Sequence, residues 1–330
     1  MGKRVLLVLL LSGPIVWSAG ALWYDGPNSR ALARGLVLLF AGSSLALLAL
    51  ARSAWHGAVG VVVACGFVLG WWLGIEPRND RPWQADVAEL PTAEINGDRL
   101  TIRNVRNFEY RSETDFTPRW ETRTYDLTKI QGLDMFMSYW GPRAIAHTVL
   151  SWQFEGAAPL AISIETRKEQ GEEYSAVKGF FRQFELYYVL ADERDLIRLR
   201  TNVRGEEVYL YRLRPPPARA RALLLAYLAK VNRLAKEPDW YNAFTHNCTT
   251  TIFLHVRDLG IPFSWNWKMF LNGYLDEGAY GVGLINRSMP FEEMRARSAI
   301  SSTAKGVQNE ADFSAAIRVG LPDRPPPPLI

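Results

Sequence analysis

The sequence predicts an α+β protein in which three N-terminal transmembrane helices precede a domain with an antiparallel sheet and a helix that starts at a cysteine. Three observations predict it. The first 75 residues hold three long uncharged runs, and the middle of the chain alternates polar and apolar residues between turn signals. Finally, Asn247-Cys248 stands before an apolar run at helical spacing that stops at Gly260.

Val5 to Tyr24 carries no charge, follows Lys3 and Arg4, and at about 1.5 Å per residue is long enough to cross a hydrocarbon core of about 30 Å. Two more uncharged spans follow closely, Gly35 to Ala51 and Gly57 to Ile75. Three such runs in succession would need a very large soluble core to cover them, so they read as a membrane anchor over residues 1–76 rather than as a cleaved signal peptide. The flanking charges are nearly balanced: Lys3, Arg4 and Arg52 on one side, and Arg30, Arg34, Arg78 and Arg81 on the other. Charge therefore leaves the orientation open, while an odd number of spans sets the N-terminus and the large domain on opposite sides.

Residues 77–91 read as a juxtamembrane linker, 92–320 as the large domain outside the membrane and 321–330 as a proline-rich tail. Asn96-Gly97 between alternating residues predicts a hairpin over 93–103, and Arg119 to Leu127 and Met135 to Trp140 predict strands. Ala144 to Phe154 and Leu160 to Arg167 predict a second hairpin about the turn Glu-Gly-Ala-Ala-Pro. A helix is expected over Ser175 to Tyr188, strands over Asp195 to Arg200 and Glu207 to Arg214, and an amphipathic helix over Ala220 to Lys236. The aromatics of Phe263 to Phe270 suit either the membrane interface or packing onto the domain.

The net charge of +4 among 330 residues is small and dispersed, and gives no argument for nucleic acid. Of the two cysteines, Cys65 sits in an apolar run and Cys248 in the soluble part, so no disulfide is expected. Four scattered histidines and these cysteines have no zinc-site spacing, and neither metal nor cofactor is expected.

Cys248 is the candidate nucleophile. With Asn247 as N-cap, it would be the first helical residue, where unpaired N–H groups and the helix dipole stabilise a thiolate and offer donors to an oxyanion. Asn247 and Thr249 are the supporting residues. The plain alternative is a buried structural thiol, but Asn, His and three Thr surround this sulfur where a core cysteine would have aliphatic neighbours.

The base can be sought among four histidines. His56 lies at a membrane boundary, and His255 lies two helical turns, about 10 Å, beyond Cys248. His246 is an alternative base, two residues before the cysteine. His147 is preferred, because folding about the hairpin turn brings it roughly opposite Glu165, within a residue of register, and a carboxylate adjacent across a sheet fixes an imidazole tautomer and raises its basicity.

The order His147, Glu165, Asn247-Cys248 resembles the circularly permuted papain-like fold. More closely, Trp140-Gly-Pro, Ile145-Ala-His-Thr, Ile162-Ser-Ile-Glu-Thr-Arg-Lys-Glu and Tyr241-Asn with Asn247-Cys-Thr-Thr resemble bacterial membrane proteins bearing the Lnb-type N-terminal periplasmic domain, over residues 80–300. That family takes its name from lipoprotein N-acyltransferases. The resemblance implies a permuted papain-like domain in the periplasm of a multi-pass inner-membrane protein, with Cys248 as nucleophile, His147 as base and Glu165 as orienting residue. It implies a phospholipid as acyl donor and the N-terminal cysteine of a lipoprotein as acceptor. A cysteine peptidase or amidase acting on cell-wall peptide would use the same residues, and a catalytically silent envelope-binding module would need none of them.

Overall fold

In this computed structural model the described residues are 2–243, 245, 250–252, 254–255, 272–307 and 313–325. The expected helix start at Asn247-Cys248, with His246 and Thr249, and the aromatic segment 263–270 lie outside them. The chain divides into two compact units, residues 1–80 with 172–185 and 239–243, and residues 81–171 with 186–238 and 244–330.

The first unit is built on α1 (Gly2–Tyr24), α2 (Arg30–Leu50) and α3 (Ala54–Leu73), each long and apolar enough to cross a membrane. Their outward faces are apolar, as at Leu9, Leu38 and Phe67, while small residues such as Ala21, Ala33 and Ala58 are buried. That division suits a lipid surround, where close backbone approach rather than water exclusion holds helices together. At the α2–α3 corner a Cβ on Gly57 would lie 2.3 Å from the Leu47 carbonyl oxygen, so only glycine fits. Ser53 caps α3, its hydroxyl accepting from the His56 amide at 3.2 Å.

The second unit is an eight-stranded sheet. Its strands are β1 (Thr92–Asn96), β2 (Arg99–Arg106), β5 (Trp120–Asp126), β6 (Ile130–Tyr139), β7 (His147–Phe154), β8 (Ala157–Arg167), β9 (Glu185–Ala191) and β10 (Glu207–Leu213). Two short strands, β3 (Glu109–Tyr110) and β4 (Phe116–Thr117), pair only with each other. The order is β1-β2-β9-β8-β7-β6-β10, with β5 also on β2. The β1–β2, β6–β7, β7–β8 and β6–β10 ladders are antiparallel, and β2 meets β9 in parallel at Arg106 and Ala191. This is the mixed helix-and-sheet architecture, behind three apolar helices, that the sequence predicts.

Alternation along β7 divides the core. Val149 packs with Phe136, Ala161, Tyr187, Leu196, Phe313 and Ile317 on one face. Trp152 turns to the other, where α5 (Pro217–Lys236) covers it: its indole donates to the Ala220 carbonyl at 2.9 Å and meets Tyr227 edge-on at 5.5 Å.

Some expectations change. Residues 175–188 form no continuous helix but a short 3-10 turn, Lys178–Phe180, and then the start of β9. Gly179 interrupts the pattern, packing so closely that an added Cβ would lie 3.2 Å from the Ala243 side chain, and the aromatic and β-branched run after Phe184 prefers a sheet. Residues 195–200, expected as a strand, lie in α4 (Glu193–Arg198) and a π-helical turn, Leu199–Val203. Asp192 accepts from the Arg194 amide at 2.9 Å, an N-cap that starts a helix where the short apolar run alone suggests a strand. The stretch read as linker contributes Trp83 and Val87 to the core, and in the tail the Arg324 guanidinium lies over Gly132 and donates to the carbonyls of Leu133 (2.9 Å) and Leu213 (2.7 Å).

Candidate active site

The β7–β8 hairpin turns more tightly than expected, about Glu155-Gly156, with Gly156 at φ +74°, a left-handed conformation that suits glycine. The register pairs Val149 with Ser163, and two residues further along it sets His147 opposite Glu165. On the other side β6 brings Ser138 opposite His147. Three adjacent strands thus carry a polar row at one end of the sheet, on the same face as Val149.

The contacts within this row define a single hydrogen-bonding pattern. His147 Nε2 lies 2.6 Å from Ser163 Oγ and 3.0 Å from Glu165 Oε1. Ser163 donates to that same Oε1 at 2.7 Å, and Arg200 Nη2 donates to it at 2.9 Å. An ionised carboxylate only accepts, and the serine proton already points to Glu165. Nε2 is therefore the protonated nitrogen, which leaves the basic lone pair of a neutral imidazole on Nδ1. His147 is only 8% exposed, so its ring is held by the sheet rather than turning in solvent.

Glu165 is kept ionised. Burial by itself would raise its pKa, but the adjacent His147, the Arg200 guanidinium and the Ser163 hydroxyl together hold it well below the usual glutamate range. Arg200 is 4% exposed and spans two carboxylates, its other arm donating to Glu206 Oε2 at 3.1 Å. Ser138 closes the ring by donating to the same Glu206 oxygen. A buried arginine so placed shares its charge between the orienting glutamate and a second acid, and the planar fork fixes the direction of each.

The entry to β7 is pinned separately. The Ala146 amide donates to the Asn272 side chain at 2.9 Å, the Gly273 amide to the Ala144 carbonyl at 3.2 Å, and the Tyr139 hydroxyl to the Gly273 carbonyl at 2.8 Å. A Cβ on Gly273 would lie 1.7 Å from the Arg143 carbonyl oxygen, so this contact requires glycine.

Of the residues singled out from the sequence, His147 and Glu165 are brought together. Cys248, Asn247, Thr249 and His246 lie outside the described residues. Residues 250–252 and 254–255 are helical, in the segment predicted as the helix that follows the cysteine. His255 on it receives or gives a hydrogen bond at the Tyr188 hydroxyl (2.9 Å) and packs 4.3 Å from the Tyr227 ring, on the α5 face of the sheet, whereas the His147 row lies on the other face. Ser163, Arg200, Glu206 and Ser138 were not expected. Ser163 could have been found by alternation, two residues before Glu165 on one strand.

Residues 116–266 match the family of the Lnb N-terminal periplasmic domain. This segment is similar to that domain. It contains the β7–β8 hairpin, the Arg200 turn and the position of Cys248, so the whole polar row except its setting at 272–273 falls within the match. No curated protein and no solved structure matches the chain. With three apolar helices ahead of a segment that matches a periplasmic-domain family, the protein is a membrane protein with a periplasmic domain.

Proposed function

We propose that the protein is a multi-pass inner-membrane acyltransferase that moves an acyl chain from a phospholipid to an amine, the N-terminal cysteine of a lipoprotein, using Cys248 as nucleophile. The observation that carries this reading is the donor pattern at His147: Nε2 is committed to Glu165 and Ser163, so Nδ1 is the proton acceptor, oriented by a carboxylate held ionised.

In the first half-reaction His147 takes the Cys248 proton and the thiolate attacks the ester carbonyl of the phospholipid. The carbon–sulfur bond forms, the ester carbon–oxygen bond breaks, and the imidazolium gives its proton to the departing alkoxide of the lysophospholipid. In the second, the acceptor amine attacks the thioester. Its proton passes to His147 and on to the sulfur as the carbon–sulfur bond breaks and the amide forms. Backbone N–H groups at a helix start are the expected donors to each tetrahedral oxyanion, with Asn247 and Thr249 in support. The anchor has a physical role, since donor and acceptor are both lipids and a tethered site keeps them at high effective concentration.

The test uses the full chain in phospholipid vesicles with a synthetic diacylglyceryl-cysteine peptide. The expected products are N-acylated lipopeptide and lysophospholipid in equal amounts. Cleavage of cell-wall peptide instead, with the lipopeptide unchanged, would identify an amidase, and no turnover of either would favour a binding module.

A further inference from the structure

The search for surfaces that acyl transfer does not use leads to the first unit, where residues 172–185 leave the sheet sequence and pack among the helix ends. Phe181 is the key of this packing. It is 8% exposed and stacks on Tyr24, the last residue of α1, with ring centroids 4.9 Å apart. It occupies a notch that exists because residue 20 is glycine: a Cβ there would lie 2.4 Å from Phe181 Cζ.

The next two residues tie the same segment to both outgoing helix ends. Arg182 lies over the Trp72 ring at 4.4 Å and donates to the carbonyls of Leu73 (3.2 Å), the last residue of α3, and of Ile75, two residues beyond it. Gln183 donates to the Tyr24 carbonyl (3.0 Å) and to Asp25 (2.7 Å), and Asp25 also accepts from the Trp72 indole at 2.7 Å. Trp240, from the second short segment of this unit, donates to the Ile75 carbonyl at 3.2 Å.

This fastening fixes a height. Tyr24 and Leu73 end two apolar spans, and Trp23, Tyr24, Trp71 and Trp72 form the aromatic belt that marks a membrane–water boundary. Residues bolted to those ends stand at that boundary. There the loop presents Tyr174, Val177 and Phe180 at 52%, 54% and 46% exposure, beside an exposed Trp71 and Leu73. Val177 and Phe180 are three residues apart across a 3-10 turn, and so project on the same side.

From this continuity with the helix ends we infer that residues 174–180 are an interfacial wedge, with Tyr174, Val177 and Phe180 lodged at the headgroup–acyl boundary of the bilayer. The inference is independent of acyl transfer. It gives the lipid surface a second hold on the chain, in the stretch between the strand that bears Glu165 and β9, and the adjoining segment 239–243 ends five residues before Cys248 in sequence.

The test uses the full-length chain with both native cysteines replaced by alanine and a single new one at Val177→Cys or, in a second preparation, Phe180→Cys. Each is labelled with an environment-sensitive fluorophore in vesicles of phosphatidylethanolamine and phosphatidylglycerol. The comparison position is Val282→Cys, 73% exposed in the other unit. The expected result is blue-shifted emission at 177 and 180 that shallow nitroxide lipids quench severalfold more than aqueous iodide does, with the opposite preference at 282. If iodide quenches 177 and 180 as it does 282, and nitroxide lipids do not, the wedge is refuted.

Discussion

His147 Nε2 and Glu165 Oε1 lie 3.0 Å apart across the β7–β8 pair, and the same carboxylate oxygen also accepts from Ser163 and Arg200. One oxygen with three donors is a fixed point, and the imidazole is oriented by it.

Glu165→Gln keeps the shape of this arrangement and removes its charge. Acyl transfer is expected to fall by about 10²-fold, because the imidazolium formed in each half-reaction loses its counter-charge. The stability effect has a definite sign. A glutamate whose pKa is depressed in the folded protein stabilises it fully above the ordinary value of 4.5, and this contribution is lost as pH falls below that through the depressed value. Melting temperature in detergent, followed from pH 7 downward, should drop more steeply below pH 4.5 for the wild type than for Glu165→Gln.

Arg200→Met leaves Glu165 and Glu206 without their shared cation. Breaking a buried pair of this kind costs about 3–5 kcal/mol. The surviving folded protein should have a more basic His147, since the positive charge that offsets Glu165 is gone while Ser138, Ser163, Glu165 and Glu206 remain around it. The acidic limb of the pH–rate profile is then expected to move upward, and Arg200→Lys should restore most of the wild-type position. An unchanged profile in Arg200→Met would show that the arginine serves folding alone.

The hairpin that creates the site was legible because its signals are local: alternation on both arms, and Glu155-Gly156 between them. A five-residue turn closing Phe154 on Leu160 would set His147 against Arg167; the two-residue turn, with a register shift between Trp152 and Phe154, sets it against Glu165. Arg200 was hidden because the short apolar run Asp195-Leu-Ile-Arg-Leu-Arg200 reads as a strand, while the deciding signal, the Asp192 cap, lies outside that window. Asp134 was passed over at the edge of a predicted apolar strand, since a charge argues against burial. It is fully buried because Arg318, 184 residues away, donates to it at 3.0 and 2.7 Å, a partnership without local signature.

Arg318 provides a control distant in role from the reaction. It also reaches Glu193 at 2.6 and 2.7 Å, so Arg318→Ala removes the cation that two buried carboxylates share, leaving Asp134 with Arg324 alone and Glu193 with Ser151 and Gln153, and is expected to destabilise the fold by about 3 kcal/mol. Chemical denaturation should show this loss, while the acyl-transfer rate per folded molecule stays at the wild-type value at low temperature.

Gly273→Ala tests the seat of β7. The new methyl group would collide with the Arg143 carbonyl, and the backbone must shift to admit it, at a cost of about 1–3 kcal/mol. Because the displaced segment leads into His147, turnover is expected to fall more than donor binding weakens. Separate measurement of kcat and KM for the phospholipid checks this.

The central claim is that the imidazole oriented by Glu165 activates the Cys248 thiol toward a lipid ester. Incubating the full chain with labelled phospholipid in the absence of any amine, and then mapping the label by mass spectrometry, tests it directly. The account predicts an acyl group on Cys248 that neutral hydroxylamine releases, absent in Cys248→Ser and slowed by about 10²–10⁴-fold in His147→Ala. Label on Cys248 at the wild-type rate in His147→Ala, or no acyl-thioester in the wild-type protein, would contradict it.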